Sequence, residues 1–183
     1  MNYLALLRGI NVGGKSVIRM TDLRDCLEAA GFTGVRTFIQ SGNVLFTGPK
    51  RPAAKLALEL EKPIEQKFRM QVGVTVFTAA EWEEVVRRAP KWWGREKEWK
   101  HNLLALLPGA RPDEVMAAAG NLKPEIEMLA PGPGVVYQSL SLQFYGRVTS
   151  GKLASHPIYR RFTVRNHNTT LRLAELLRDD LTW

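Results

Sequence analysis

From Tyr3 to Phe77 the spacing of apolar residues switches between strand-like and helical in an order that leaves few folds open. Tyr3-Leu4-Ala5-Leu6-Leu7 reads as a buried strand that ends at Arg8-Gly9, and a glycine-rich loop runs from Ile10 to Ser16. Met20, Leu23, Cys26, Leu27 and Ala30 then recur at helical spacing until Gly31 stops them. Residues 35–40 and 44–47 are β-rich runs around Ser41-Gly42-Asn43, whose Gly and Asn tolerate positive φ, so the pair reads as a hairpin. Residues 54–68 carry Ala57, Leu60, Ile64 and Phe68 on one helical face, with Pro63 expected to kink or split the helix. Residues 72–77 form a further strand. Thr78 and Glu81, at capping-box spacing, open a helix that buries Trp82, Val85, Val86 and Ala89.

This βαββαβ order is the ferredoxin-like, split βαβ arrangement. Strands one and two are parallel through a right-handed helical crossover, and strand three fits between them antiparallel. The end of strand one and the hairpin turn therefore share one edge of the sheet. Residues 91–100 interrupt the pattern with aromatics and charges and read as a Trp-rich connection. Beyond it, residues 102–107 form a strand ended by Pro108-Gly109, and residues 112–119 a helix with Pro at its first turn. Residues 125–129 and 135–140 read as strands around Pro131-Gly132-Pro133-Gly134, and residues 152–159 as a short helix. Asn168 is expected to cap a final helix with Leu171, Ala174, Leu177 and Leu181 inward. The expected fold class is α+β: a ferredoxin-like subdomain over residues 1–90, the connection over 91–100, and a second, smaller α+β subdomain over 101–183. That half can echo the first as βαββα, the product of a divergent duplication, although no repeat is visible in the sequence.

Charge narrows the partners. Lys plus Arg total 26 against 18 for Asp plus Glu, giving a formal net charge of +8, which favours nucleic acid, nucleotides or acidic lipid surfaces. The single cysteine, Cys26, closes no internal disulfide, and no Cys/His cluster has zinc-ligand spacing, so no metal is expected. The first residues lack the basic lead-in and long apolar core of a signal peptide, and no apolar run is long enough for a bilayer. A cytoplasmic location, away from membranes, is the expectation.

The strongest local string is Gly9-Ile10-Asn11-Val12-Gly13-Gly14-Lys15-Ser16, which satisfies the GxxxxGK[ST] pattern after a strand. A nucleotide kinase built on it needs a helix starting at Lys15, yet Val17-Ile18-Arg19 intervenes before the helical pattern, and no later strand ends in an Asp suited to magnesium. Three readings stay open: kinase chemistry, a loop that merely turns sharply, and an anion site. In the last, the amides of Gly9, Gly13 and Gly14 form a concavity, Arg8 and Lys15 supply charge, and Asn11, Gln40, Ser41 and Asn43 converge from the same edge. Near the C-terminus Arg165, Asn166 and Asn168 stand at a helix start, where amides and a cation suit a phosphate, or where the polar residues simply cap the helix. They complete the first site if the second half folds back over it.

Trp92, Trp93 and Trp99 are interleaved with Lys91, Arg95, Lys97 and Lys100, a mixture that would stack bases and neutralise phosphates. Packing at a seam between subdomains is the simpler use of such tryptophans. His101, His156 and His167 have no nucleophile or carboxylate partner at motif spacing, and Cys26 lies on an apolar helix face.

Leu6-Leu7-Arg8-Gly9-Ile10-Asn11-Val12-Gly13-Gly14-Lys15 with Met20, then Gln40-Ser41-Gly42-Asn43-Val44, then Thr163-Val164-Arg165-Asn166-His167-Asn168-Thr169 together resemble the bacterial domain of unknown function 1697. The resemblance implies a two-part α+β protein with ferredoxin-like elements and brings no catalytic residue or cofactor with it. The family's position after Lys15 is commonly neither Ser nor Thr, which counts against the kinase reading. The family also usually shows Trp where this chain has His167. The leading expectation is a protein that binds a phosphate-bearing small molecule or nucleotide at residues 8–16 and 40–43, with nucleic-acid binding and a kinase as alternatives.

Overall fold

The computed structural model describes residues 1–13 and 17–179. The chain divides into two compact units, Met1–Glu83 with the described residues from Leu173 onward, and Glu84–Arg172.

The first unit contains β1 (Asn2–Leu7), α1 (Met20–Ala29), β2 (Thr33–Phe38), β3 (Asn43–Thr47), α2 (Ala53–Phe68) and β4 (Val74–Thr78), followed by α3 (Ala79–Arg87), inside which the division falls. Its sheet has the order β2-β3-β1-β4, with every neighbouring pair antiparallel. This is the ferredoxin-like order, with β3 between β1 and β2 as the crossover argument requires. Tyr3, Ala5 and Leu7 of β1 join Val44 and Phe46 of β3 in a core closed by Leu23 and Leu27 of α1 and by Leu56, Leu60 and Ile64 of α2. Each fully buried Leu or Ile there contributes about 1.5–3 kcal/mol. Pro63 sits inside an unbroken sixteen-residue helix, so the expected split does not occur. The Thr78–Glu81 capping box is present: Glu81 N donates to Thr78 Oγ1 at 3.1 Å, and Thr78 N to Glu81 Oε2 at 2.7 Å.

The second unit contains β5 (Trp99–Leu106), α4 (Pro112–Ala119), β6 (Glu127–Gly132), β7 (Val135–Ser141), three 3-10 turns (Tyr145–Arg147, Thr149–Ser155, Pro157–Arg161) and β8 (Phe162–Asn166). The last helix, α5 (His167–Asp179), also spans the division; the expected inward Leu181 lies outside the described residues. The sheet order is β6-β7-β5-β8, all antiparallel, which repeats the order of the first sheet strand for strand. Where α2 crosses over in the first unit, the 3-10 turns do so here.

Several local expectations shift. β5 begins at Trp99 rather than at Asn102. β6 runs through Pro131 and Gly132, which pair with Val136 and Val135, because an edge strand tolerates a proline that a central one would not. The residues expected to be a short helix at 152–159 are 3-10 turns interrupted at Pro157. Asn166, not Asn168, caps α5: its Oδ1 accepts from Thr169 N at 2.7 Å.

The crossover turns are anchored by one side chain. Glu127 is completely buried, and its carboxylate accepts from Thr149 N at 2.8 Å, Ser150 N at 2.8 Å, Ser150 Oγ at 2.7 Å and Lys123 N at 3.2 Å. Burial pushes this carboxyl up, but the Ser150 hydroxyl and the three amides outweigh it and hold the group below its ordinary 4.5. A depressed native value stabilises the fold at pH above the unfolded value, and the benefit disappears as pH falls through the native one. Glu127→Gln should therefore lower unfolding free energy by about 2–3 kcal/mol near neutrality. In urea titrations at a series of pH values, the gap between variant and parent should close below the ordinary carboxylate value.

Candidate functional site

Among the described residues expected at this edge of the first unit, Asn11 reaches the carbonyl of Gln40 and Asn43 reaches the hydroxyl of Ser41. At the end of β1, Leu7 N donates to Gly42 O at 2.8 Å and Arg8 N to Gly73 O at 2.9 Å, fixing the start of the loop. Gly42 takes φ +74°, and a Cβ there would meet Leu7 Cβ at 2.7 Å and Ile10 Cδ1 at 2.9 Å. Only glycine lets the hairpin turn press onto the strand end this closely.

Asn11 is the staple of the loop. Its Nδ2 donates to Gln40 O at 2.8 Å and to Ile18 O at 2.9 Å, while its Oδ1 accepts from Ile18 N at 2.7 Å. Asn43 plays the matching part in the hairpin: fully buried, it donates through Nδ2 to Phe38 O at 3.0 Å and to Ser41 Oγ at 2.9 Å. The two carboxamides thus build the edge. Gly9, Gly13 and the Gln40 side chain are exposed, and Arg8 and Ser41 are half-buried. Gly14 and Lys15 lie outside the described residues.

The backbone of this loop has an unusual handedness. Gly9, Asn11 and Gly13 have φ of +73°, +56° and +61°, and the intervening Ile10 and Val12 are not left-handed. Alternation of φ sign turns successive N–H groups toward a common centre, the geometry of anion-binding concavities. Among the described residues, no group accepts from the amides of Gly9, Ile10, Asn11 or Gly13. Beside it, Ile39 takes φ +47°, rare for a β-branched residue, and is 49% exposed. Val12 and Val17, each next in sequence to a stapled residue, are 67% exposed.

Among the described residues, the elements flanking the loop do not have the kinase arrangement. α1 starts at Met20 with Arg19 at its N-cap, and β1 is antiparallel to both neighbours, whereas that class places the loop between a parallel strand and an immediately following helix.

Arg165, Asn166 and Asn168 belong to the second unit. Arg165 is 4% exposed and donates through Nη1 to Thr163 Oγ1 and Val164 O, both at 2.8 Å; burial lowers its pKa to about 10, so it remains a cation at neutral pH. Asn166 is occupied as the cap of α5, and Asn168 Oδ1 lies 3.3 Å from His167 Nδ1. In the Trp-rich stretch Trp93 is core: its Nε1 donates to Asn102 O at 2.9 Å, and its ring meets Tyr137 and His167 edge-on. Gly94, at φ +88°, leaves no space for a side chain beside the His167 ring. Both ring nitrogens of His101 are engaged, with Ser139 Oγ at 2.6 Å and Glu96 O at 2.8 Å. Burial raises the Cys26 thiol pKa against the opposing charge of Lys67. No cluster of metal-ligating side chains occurs among the described residues, and no helix among them is long and apolar enough to cross a membrane.

The fold and edge define an α+β protein of two units with matching sheet order, carrying a glycine-rich loop after its first strand. The chain belongs to the family described as Protein of unknown function (DUF1697), whose model matches residues 1–137. It is similar to the solved structure of a conserved bacterial protein from Streptococcus pneumoniae, at 29% identity and a TM-score of 0.83, over 96% of this chain and 98% of that one. Among curated proteins none matches.

The staple can be tested apart from any ligand. Asn11→Asp keeps the acceptor for Ile18 N but sets a carboxylate oxygen against the carbonyls of Ile18 and Gln40. Chemical denaturation should show a loss of about 2–4 kcal/mol, whereas Gln40→Ala, which spares the Gln40 carbonyl, should be nearly neutral.

Proposed function

We propose that this protein binds a phosphate-bearing small molecule or nucleotide through the amides of the residue 9–13 loop. The observation that carries the reading is the alternation of φ sign from Gly9 to Gly13, with four amides in that stretch uncommitted among the described residues. A concavity of backbone N–H groups pairs with phosphate oxygens without the side-chain entropy that Lys or Arg must lose. The Asn11 carboxamide holds the concavity rather than touching the anion, since all its interactions point back into the loop and the hairpin. Exposed Val12, Val17 and Ile39 give the organic part of a ligand an apolar surface beside the amides. The net charge of +8 favours such a ligand electrostatically.

Inorganic phosphate, AMP and ATP, titrated separately while backbone amides are followed by NMR, test this. Millimolar phosphate should move the resonances of Gly9, Ile10, Asn11 and Gly13, and AMP should bind more tightly than phosphate alone. Gly9→Ala and Gly13→Ala leave space for the added methyl but force a left-handed alanine at about 1–2 kcal/mol each. Both variants should fold and lose binding. Ligand-induced shifts confined to another part of the chain, or none with any of the three, would refute the reading.

A further inference from the structure

The second unit carries a cavity of its own. It has a volume of about 240 Å³ and lies over one face of the β5-β7-β8 sheet, beneath the 3-10 turns. Its size suits a one- or two-ring molecule, since pockets for drug-sized ligands run from about 300 to 1,000 Å³.

Asn102 of β5 and Gln138 of β7 stand directly opposite each other in the ladder and line this cavity. Both are more than nine-tenths buried, at 7% and 6% exposure. They share one hydrogen bond, Asn102 Nδ2 to Gln138 Oε1 at 2.9 Å. Two carboxamides joined by a single bond always leave over one carbonyl oxygen and one amino group, whichever way each amide is turned. Here these are Asn102 Oδ1 and Gln138 Nε2, and among the described residues neither has a partner. Asn2 Nδ2 is the one side-chain atom among the described residues that is both sealed from solvent and unpaired. The spare atoms of Asn102 and Gln138 therefore keep access to space, and both residues line the cavity.

An acceptor beside a donor, fixed on a rigid sheet, matches a flat edge that presents a donor beside an acceptor. Three aromatic residues and Lys100 line the same cavity. Phe162 lies within the cavity wall, Tyr159 meets its ring edge-on at 5.4 Å, and Tyr145 lies under the Lys100 ammonium at 5.5 Å. Tyr145 and Tyr159 are 49% and 41% exposed, which leaves ring surface available for stacking. The geometry points to a second ligand site that takes a planar heterocycle carrying a ring N–H next to a carbonyl, the cyclic-amide edge of a uracil- or hypoxanthine-type base. The Asn102–Gln138 pair reads the edge, and the tyrosines cover its faces. This site draws nothing from the loop of the first unit and stands without the reading given for it.

Uracil, hypoxanthine and 1,3-dimethyluracil, which has no ring N–H, are the probes. Titration of the whole chain, followed through the side-chain NH₂ resonances of Asn102 and Gln138, should show saturable shifts with uracil and hypoxanthine at millimolar concentration or below. Dimethyluracil should bind about tenfold more weakly or not at all, as expected when one member of a bidentate pair is lost. Gln138→Leu should abolish discrimination between uracil and its dimethyl form. Tyr145→Ala, at an exposed rim position that does not put folding at risk, should weaken both probes. Gly13→Ala should change neither, which separates this site from the phosphate loop. Equal binding of uracil and dimethyluracil, shifts that bypass Asn102 and Gln138, or no binding of either base would overturn the assignment.

Discussion

The carboxamide of Asn11 is the contact on which the first unit's candidate edge depends. It fills three hydrogen bonds, to both backbone groups of Ile18 and to the carbonyl of Gln40, and so ties the loop after β1 to its own far end and to the β2–β3 turn. A loop rich in glycine has much conformational entropy to lose, and without such a tie it would sample many shapes. With it, the left-handed positions at Gly9, Asn11 and Gly13 are held in one arrangement. Gly42 completes the fit by letting the hairpin turn approach Leu7 and Ile10 more closely than any side chain would permit. Preorganised amides are the reason a phosphate reading fits this edge better than one that relies on flexible cations.

Much of the architecture is legible in the sequence, because strand order follows from the alternation of apolar periods and from the handedness of crossovers. The position of β3 between β1 and β2, the Thr78–Glu81 box and the start of α4 at Pro112 all follow from local patterns. The repeated sheet order of the second unit is less visible, since its second crossover is made of 3-10 turns that carry no helical periodicity. Pro131 misleads in the same way: in isolation it signals a turn, and only its place on an edge strand explains why the ladder continues through it.

The meeting of loop and hairpin is legible in the sequence, but the part each residue plays in it is not. Residues 8–13 and 40–43 meet because topology brings them together, yet no sequence rule distinguishes an asparagine that faces a ligand from one that staples two loops 29 positions apart. Asn166 and Asn168 show the same ambiguity two residues apart, resolved only by which oxygen reaches Thr169 N. Nothing in the sequence singles out Asn102 or Gln138, because only the register of the strands sets them opposite each other. Of the two uses the sequence offers for the tryptophans, stacking on bases or packing, Trp93 takes packing, its indole donating to the carbonyl of Asn102.

The burial of Glu127 on β6 has a mechanical consequence. Side chains alternate between the two faces of a strand, so sliding β6 by one residue along β7 would carry the carboxylate to the opposite face, away from the amides of Thr149 and Ser150. Alternative alignments of this outermost strand are thereby penalised. With Pro131 breaking the row of N–H groups a few residues further along, β6 is also a poor template for the β-strand of a neighbouring molecule, which guards the sheet against fibrillar self-association.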